Sequence, residues 1–372
     1  MSSEASSRSR FERLQQMKDS RRINVAVIGT GWCGGIRAAA SGASPWVKEL
    51  HIAEIREDRL KEVAAQTNPV TATTDYRRLL ENPSIDAVMI STTPEGTHFP
   101  IAKESMLAGK HVLLEKPIAI ELSEADELIA LSNERRLWFT IAYSQRFNPK
   151  FAYVKRSLED GTIGEPVSAL VSRHITRNLG KKISGRVKLS PAAMEATHDI
   201  DFVLWCLAPR RPIRVYAQEA AKIMKAQYNA PDCVWMIVTM DDGTVFTIGA
   251  GWVLPPAYPN FASTWIEFVG TEGAVMVDDT HRDVYVTSMK DGIRFPISSM
   301  PGEKVNHVYA GPMEVETLHF LECVATGRQP LVTAEHARMV MQLYKAADLS
   351  VETNQPVALT AKDAPALAGA RV

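Results

Sequence analysis

Residues 22–35 constrain the fold most strongly, because there a short apolar strand runs directly into a glycine-rich loop. The segment reads RINVAVIGTGWCGG, and Gly29, Gly31 and Gly34 give the spacing G-x-G-x-x-G. In a dinucleotide-binding loop the first glycine permits the turn out of the strand. The second lets the backbone approach a pyrophosphate, and the third lets the next helix pack closely. An ordinary strand–turn–helix connection is the alternative, so the pattern needs support from the residues that follow.

An acidic residue near the end of the next strand gives that support. Residues 50–55 are a second apolar stretch, and Glu54 follows Gly29 by about 25 residues, where this fold places the carboxylate that accepts from the adenosine ribose. A carboxylate there repels a 2′-phosphate, which favours NAD over NADP. Arg56 could bind such a phosphate, so NADP stays open as the alternative.

The size and charge of the chain exclude several classes of protein. With 372 residues and a mass of 41.1 kDa, it is longer than one core usually serves, so we expect two domains. A net charge of -1 gives no general attraction to nucleic acid or to an anionic membrane. No apolar run approaches the ~20 residues of a membrane-spanning helix. The expected partner is therefore a small molecule, with neither nucleic acid nor membrane.

The cysteines and histidines indicate neither a disulfide framework nor a metal site. Four cysteines are scattered without C-x-x-C spacing, which is typical of reduced thiols in a cytoplasmic protein. The histidines lack metal-ligand spacing with carboxylates or cysteines, so no metal is predicted. The first 20 residues lack the apolar core of a secretion signal. We therefore expect a cytoplasmic location.

The order of predicted elements divides the chain into two domains of the α/β class. Strands and helices alternate from residue 23 to about 142, which predicts a Rossmann domain with a parallel sheet over residues 23–145. Longer alternating strands then predict a substrate-binding and oligomerisation domain over residues 146–353, built on a large, mainly antiparallel open sheet. Helices near residues 313–325 and 334–352 should close this second domain. Residues 1–22 and 354–372 are predicted to be tails.

Two loops should border the same crevice as the glycine loop, because ligands of parallel sheets lie beyond the carboxyl ends of the strands. Residues 92–98 follow one buried strand, and residues 115–117 follow another. These loops contribute Thr92, Thr93, Pro94, His98, Glu115 and Lys116 to the crevice.

Two further motifs make the chain resemble the Gfo/Idh/MocA family, which includes enzymes like glucose-fructose oxidoreductase and inositol dehydrogenase. These are GKHVLLEKP at residues 109–117 and HDIDFVLW at residues 198–205. The resemblance extends over residues 23–352 and implies a Rossmann domain, a C-terminal α/β domain, NAD and a homodimer or homotetramer. The predicted cofactor-binding residues are Gly29, Thr30, Gly31, Trp32, Cys33, Gly34, Glu54, Arg56, Thr92, Thr93, Pro94, His98, Glu115, Lys116 and Gln145.

Lys116 and His198 are the predicted reacting pair. By resemblance, Lys116 is the family's catalytic lysine, and its ammonium can stabilise charge that develops on a hydroxyl oxygen. A helix should begin at Ser190 and Pro191, and on it His198 lies opposite the apolar stripe, within reach of Glu195. A histidine has a near-neutral pKa that suits acceptance of the hydroxyl proton. A surface lysine and a structural histidine are the alternatives.

The chain departs from the family pattern one turn before His198. Many family dehydrogenases have an aspartate four residues before this histidine, where this chain has Met194. Glu195 is the nearest carboxylate, and we predict that it substitutes as orienter or proton carrier. The departure leaves altered chemistry open.

A basic segment precedes the predicted catalytic helix. Residues 177–188 read RNLGKKISGRVK and contain no acid. Such a run is often a solvated face, but here it could hold a sulfonate, carboxylate or phosphate on a sugar. The predicted substrate-binding residues are Arg146, Arg177, Lys181, Lys182 and Arg186.

Three functions are compatible with these residues. The first is an NAD-dependent oxidoreductase that acts on a secondary hydroxyl of a sugar or cyclitol. The second is an NAD-dependent glycosidase, similar to the sulfoquinovosidases, that oxidises, eliminates, hydrates and reduces an anionic glycoside. The third is a non-catalytic NAD-binding regulator, which the presence of both Lys116 and His198 disfavours.

Overall fold

The computed structural model describes residues 21–184, 189–258, 260, 262–280, 286–290, 292–294, 304–306 and 308–359. Arg186, residues 1–20 and residues 360–372, for which the sequence also made predictions, lie outside the described residues. The described chain forms two large sheets, each packed against helices, and the predicted α/β class with two different sheets is confirmed.

The first sheet is parallel and has six strands. These are β1 (Ile23–Ile28), β2 (Val47–Ala53), β3 (Thr71–Thr73), β4 (Ala87–Ile90), β5 (His111–Leu114) and β6 (Phe139–Ile141). Their spatial order is β3-β2-β1-β4-β5-β6. Every residue of β1 is buried, as expected for a central strand with helices on both faces. The strand order reverses between β1 and β4, so the glycine loop after β1 lies at the switch point where such sheets bind ligands.

Six helices belong to this half of the chain or follow it directly. They are α1 (Trp32–Gly42), α2 (Glu57–Thr67), α3 (Arg77–Leu80), α4 (His98–Leu107), α5 (Leu122–Glu134) and α6 (Pro149–Glu159). Short 3₁₀ turns cover Glu95–Thr97 and Ser144–Phe147. Asn148 caps α6 by accepting from the backbone N–H of Lys150, with Pro149 at the first helical position.

The second sheet has seven strands and is mainly antiparallel, as predicted. The remaining strands of the chain are β7 (Pro166–Thr176), β8 (Pro212–Ala220), β9 (Cys233–Met240), β10 (Val245–Leu254), β11 (Ala262–Gly270), β12 (Ala274–Asp278), β13 (Val286–Ser288), β14 (Gly292–Arg294), β15 (Lys304–Val305), β16 (Val308–Tyr309) and β17 (Val357–Ala358). The large sheet has the order β12-β11-β7-β10-β9-β8-β17, and only β7 and β10 pair in parallel among its described pairs. β13–β14 and β15–β16 are separate hairpins. The segment predicted as a C-terminal tail thus contributes β17 to the sheet.

Helices cover one face of this sheet, and no helix of the described residues lies on the other. The helical elements are α7 (Arg177–Ser184), a π-helical turn (Ala192–Ala196), α8 (Thr197–Leu207), α9 (Lys225–Tyr228), α10 (Pro312–Thr326) and α11 (Ala334–Thr353). On β9, Val234, Met236 and Val238 are buried under the helices, whereas Trp235 and Ile237 are exposed on the outer face. This alternation follows from the two-residue period of a strand.

Helix α10 does not close the second domain as predicted. It packs against α1, and its Phe320 and Leu321 lie in one apolar core with Val25, Val27 and Ile52 of the first sheet. An apolar stripe shows that a helix is covered but does not identify the sheet that covers it, so the sequence alone could not predict which domain α10 packs against. The consequence is that a helix from the second half of the chain touches the helix that follows the glycine loop.

Candidate functional site

The glycine loop has the shape that a pyrophosphate requires. Gly29 has a φ of +80°, which residues with a Cβ rarely adopt, and a Cβ on Gly34 would lie 1.8 Å from the carbonyl oxygen of Gly29. A Cβ on Gly31 would meet nothing within 4 Å, so the space beside it is open. Helix α1 begins at Trp32, which is exposed, and has no side-chain cap. Its first N–H groups are therefore available to an anion.

Glu54 follows β2 directly, and its carboxylate faces the glycine loop. Oε2 accepts from the backbone N–H of Thr30 at 2.8 Å, and Oε1 accepts from the backbone N–H of Arg56 at 3.1 Å. The Arg56 side chain is 59% exposed, with its Nε 3.7 Å from the same carboxylate. Arg59 also reaches the loop and donates to the carbonyl of Thr30 at 2.7 Å. The acidic strand end and the glycine loop thus form one surface, as binding of an adenosine ribose requires.

The loops after β4 and β5 meet through His98. Its ring nitrogens contact the carbonyl oxygens of Pro117 at 2.8 Å and of Thr92 at 3.1 Å, and the residue is 1% exposed. His98 was predicted to bind the cofactor, but the structure places it behind the crevice, where it joins the two loops. Thr93 and Pro94 of the same loop are exposed and border the crevice.

A buried arginine joins three elements behind the crevice. Arg37 of α1 donates from Nη2 to Glu115 at 2.7 Å, and the same atom lies 2.9 Å from Glu316 of α10. Burial raises the pKa of Glu316 to about 7, against the opposing charge of Arg37. Burial, with the charge of Glu115, also raises the pKa of the Cys33 thiol, which stays protonated at neutral pH. Glu115 therefore anchors the segment that carries Lys116.

Lys116 connects the two domains. Its Nζ donates to the backbone carbonyl of Met194 at 3.0 Å. Met194 lies in the π-helical turn before α8, a geometry that is rare in proteins and frequent at functional sites. Ser190 accepts from the N–H of Ala193 at 3.1 Å, so the helical segment begins where the sequence predicted. The lysine of the nucleotide half thus lies against the turn that precedes His198.

His198 lies in the first turn of α8 as a neutral imidazole. Burial, followed by the charges of Lys116 and Arg173, holds its pKa well below the usual range. Its Nδ1 is buried and has no hydrogen-bond partner among the described residues. The ring meets the edge of Tyr143, with 6.3 Å between the ring centroids. A neutral imidazole with an unpaired nitrogen is suited to accept a proton.

Glu195 shares these surroundings, whereas Met194 does not. Burial raises the pKa of Glu195, and the charges of Lys116 and Arg173 oppose that rise. The Met194 side chain packs instead into a small apolar cluster with Trp252 and is 2% exposed. The structure therefore brings Lys116, Glu195 and His198 together and leaves the position of the missing aspartate in an apolar core.

Sequence reasoning missed one cation of the site, Arg173 of β7. Its Nε donates to both carboxylate oxygens of Asp199, at 2.9 and 2.8 Å. With the amide oxygen turned toward β7, Gln145 accepts from Arg173 Nη1 at 3.3 Å and also from Nη2. Val171 and Ile175 point the same way along β7 and are buried. A charged residue at an inward position of an apolar strand was the available signal.

Arg146 is not placed to bind a substrate. Its Nε and Nη2 donate to Asp201 at 3.0 and 2.6 Å, and Nη1 donates to the carbonyl of Leu331 at 3.4 Å. The side chain is only 2% exposed and stacks on Trp205, which keeps it in the interior. His336 approaches the same aspartate at 3.2 Å. The prediction for Arg146 was wrong because its guanidinium is bound by the buried carboxylate of Asp201.

The described part of the basic segment lies on α7. Arg177 donates to the carbonyl of Val253 at 3.1 Å, and Lys181 lies over the ring of Tyr228 at 6.0 Å. Lys182 is exposed. The structure thus does not add these three cations to the cluster of Lys116 and Arg173.

The shape and charge of the glycine loop and the strand ends beside it fit a nicotinamide dinucleotide. The open space at Gly31, the uncapped start of α1 and the carboxylate of Glu54 would hold its pyrophosphate and ribose, and Thr93 and Lys116 border the same crevice. When bound, the cofactor supplies the group that accepts a hydride. Within the described residues we find no cluster of His, Cys, Asp and Glu that could hold a metal ion.

Comparison with known proteins supports this arrangement across most of the chain. A model described as an oxidoreductase family with an NAD-binding Rossmann fold matches residues 23–143. A second, described as the C-terminal alpha/beta domain of an oxidoreductase family, matches residues 155–359. Among the residues that the structure describes, no helix combines the length and the hydropathy needed to cross a membrane.

Individual relatives are similar over nearly their whole length. The scyllo-inositol 2-dehydrogenase (NAD(+)) of Bacillus subtilis is 27% identical, over 92% of this chain and 98% of its own. The myo-inositol 2-dehydrogenase of Thermotoga maritima is 24% identical, over 91% of this chain and 98% of its own. The solved structure of scyllo-inositol dehydrogenase from Lactobacillus casei with NAD(H) and scyllo-inositol superimposes with a TM-score of 0.79 at 20% identity, over 91% of this chain and 99% of that chain.

Proposed function

This chain belongs to the Gfo/Idh/MocA family of NAD-binding oxidoreductases, and from that premise we propose that it oxidises a secondary hydroxyl of a sugar or cyclitol. NAD is its cofactor. The inositol dehydrogenases among its relatives support a polyhydroxylated ring as substrate. The substrate is a small molecule that reaches the crevice between the two domains.

The observation that carries the proposal is that Lys116 lies against the turn before His198. The distance from Lys116 Nζ to the carbonyl oxygen of Met194 is 3.0 Å. In the proposed reaction Lys116 donates a hydrogen bond to the substrate hydroxyl and stabilises negative charge on its oxygen. His198, kept neutral by burial and by two nearby cations, accepts the hydroxyl proton. Glu195 takes the place of the missing aspartate and orients His198.

We further propose that NAD is preferred over NADP. The carboxylate of Glu54 stands at the glycine loop, with its oxygens held by two backbone N–H groups. A 2′-phosphate would bring negative charge against that buried acid, which costs free energy. Arg56 is exposed beside it and limits the preference rather than reversing it.

The charge of the substrate is left to the experiment. Arg173 is paired with the Asp199 carboxylate, and Lys116 donates to the Met194 carbonyl, so the contacts of these two cations do not by themselves indicate an anion. The idea of a sulfonate, carboxylate or phosphate rests on residues 177–188, where Arg177 and Lys181 contact other groups. An anionic glycoside is therefore one arm of the test.

The test mixes the protein and NAD with a panel of cyclitols, neutral sugars, anionic sugars and their aryl glycosides. Net formation of NADH with a cyclitol or free sugar supports the proposed dehydrogenase. Release of the aglycone without net NADH, with solvent deuterium in the sugar ring, overturns it in favour of the glycosidase. Tight NAD binding without any turnover across the panel overturns it in favour of the regulator.

Two further properties complete the proposal. We propose a homo-oligomer that joins the outer faces of the large sheets, because Trp235 and Ile237 are 44% and 52% exposed there. A cytoplasmic location is supported by the four cysteines, which are all free thiols.

A further inference from the structure

Arg173 occupies an unusual place on β7. The side chains of Ala169, Val171 and Ile175 point toward the covering helices and are buried, and Arg173 lies in the same register. Its guanidinium therefore projects from the strand toward α8, where it is 13% exposed beside an aspartate that is fully buried. Burial of a charged pair costs free energy, so its presence at this point calls for a function.

The guanidinium bridges both sides of the crevice. On one side its Nε holds both oxygens of Asp199, the residue that follows His198 in α8. On the other side its Nη atoms donate to Gln145, which follows β6 in the nucleotide-binding half. A planar group with donors in fixed directions can make these two contacts at once, whereas an ammonium cannot hold both in the same geometry.

We propose that Arg173 is a positioning residue that fixes His198 and Gln145 at the crevice and supplies the second cation of the site beside Lys116. This inference rests on the proposed function for its catalytic consequence. Arg173 lies outside both sequence motifs, residues 109–117 and residues 198–205. Loss of the guanidinium geometry and loss of the positive charge should then have separate effects.

The charges around His198 define what is to be measured. The charges of Lys116, from the loop after β5, and of Arg173, from β7, act on His198. Two acids lie close to it along the chain, Glu195 in the π-helical turn and Asp199 in its own helix, and Lys116 and Arg173 also act on Glu195. Lys116 and Arg173 both favour the neutral imidazole, and the Asp199 carboxylate is engaged by Arg173. Removal of the Arg173 charge leaves one cation to oppose protonation of His198.

Two variants separate position from charge. Arg173→Lys keeps the positive charge but loses the planar set of N–H donors that binds Asp199 and Gln145, so we expect kcat to fall about tenfold. The acid limb of the plot of kcat/KM against pH should stay where it is in the wild type. Arg173→Gln loses both, so we expect the acid limb to move upward by about one pH unit as well. The control is Arg338→Gln, which breaks a comparable pair with Asp126 between α11 and α5 and should leave the pH profile unmoved. Identical acid limbs in the lysine and glutamine variants would overturn the proposal.

An activity-free readout keeps this test separate from the proposed function. NMR titration of the histidine ring protons, with His198 assigned by its loss in His198→Gln, reports its pKa without any substrate. We expect a higher pKa in Arg173→Gln than in the wild type and in Arg173→Lys, even if no sugar is ever turned over. If Arg173→Gln does not fold, Arg173→Gln/Asp199→Asn removes both charges, and a smaller rise is expected, because loss of the Asp199 carboxylate acts in the opposite direction. An unchanged His198 pKa refutes the inference and leaves the proposed function standing.

Discussion

The ammonium of Lys116 donates a hydrogen bond to the backbone carbonyl of Met194, 3.0 Å away, and this bond joins the two domains. Lys116 is held from behind by its neighbour Glu115, which Arg37 anchors. The orientation of the lysine therefore depends on the loop after β5 and on the turn before α8 together. In the proposed reaction, a hydroxyl bound at this point lies between a donor from one domain and a proton acceptor from the other.

Replacement of Lys116 by methionine should abolish most turnover while NAD binding persists. The side chain keeps a similar length but loses the donor to the hydroxyl oxygen, so we expect kcat to fall about 10²–10³-fold. The Kd for NAD, measured by fluorescence quenching, should change little. The same variant should raise the pKa of His198, because the charge of Lys116 now lowers it, and the acid limb of kcat/KM should move to higher pH. Lys103→Met, which removes an exposed pair with Glu127, is the matched control. Wild-type kcat in Lys116→Met would contradict the assigned reaction.

Adjacent residues of the π-helical turn should respond differently to conservative change. Glu195→Gln removes a carboxylate near Lys116 and Arg173, so we expect kcat to fall at least tenfold with little change in KM. Met194→Leu conserves volume in the apolar cluster with Trp252, so stability should change by less than about 1.5 kcal/mol and kcat should be retained. Steady-state kinetics and thermal unfolding of both variants check this. Equal losses of kcat in the two would mean that the turn, and not the carboxylate, matters.

Cofactor choice should depend on Glu54. In Glu54→Ala the repulsion of a 2′-phosphate is lost, and Arg56 and Arg59 remain nearby. We expect the ratio of kcat/KM for NAD to that for NADP to fall about tenfold or more, equivalent to about 1.4 kcal/mol. Arg56→Gln should move the same ratio in the opposite direction. A ratio unaltered by both substitutions would show that neither residue meets the adenosine ribose.

Local patterns in the sequence were enough to predict the sheets and much of the site. The strand–glycine loop at Gly29 and the loop at Lys116 each follow one buried strand, so their place is fixed by residues next to them. His198 could be placed because its helix begins at a recognisable cap. These features need only local information and the general rule for parallel sheets.

Pairs of residues distant along the chain could not be predicted in the same way. Arg173 donates a hydrogen bond to Asp199, 26 positions further along the chain, and Arg37 donates one to Thr317, 280 positions further along. Arg146 was expected in the substrate site, but Asp201, 55 positions away, holds it in the core. A single sequence gives the charge of such residues but not the partner that neutralises it.

Stability should depend on pH through Glu316. Its folded-state pKa of about 7 lies above its usual 4.5, so the folded protein keeps a proton that the unfolded chain loses in this interval. The stability that this proton supplies is present below the usual value and is lost as pH rises through 7. Glu316→Gln cannot ionise, so its free energy of unfolding relative to the wild type should rise by about 2–3 kcal/mol from roughly pH 4 to pH 8. Denaturant unfolding across this range measures the difference. A difference in free energy that stays constant across this range would contradict the assignment of the trend to Glu316.

The outer face of the large sheet should decide the oligomeric state. Trp235 lies flat over Gly249, where a Cβ would meet its indole at 2.5 Å, and its ring is 5.9 Å from that of His174. With Ile237 half exposed beside it, this face presents apolar surface that a monomer would leave in water. Trp235→Lys/Ile237→Lys places charge there, so light scattering should show the monomer mass for this variant and a dimer or tetramer for the wild type. Val70→Lys, at an apolar residue 65% exposed in the nucleotide-binding half, should keep the wild-type mass. A wild-type protein that is itself monomeric at micromolar concentration would refute the sheet-to-sheet assembly.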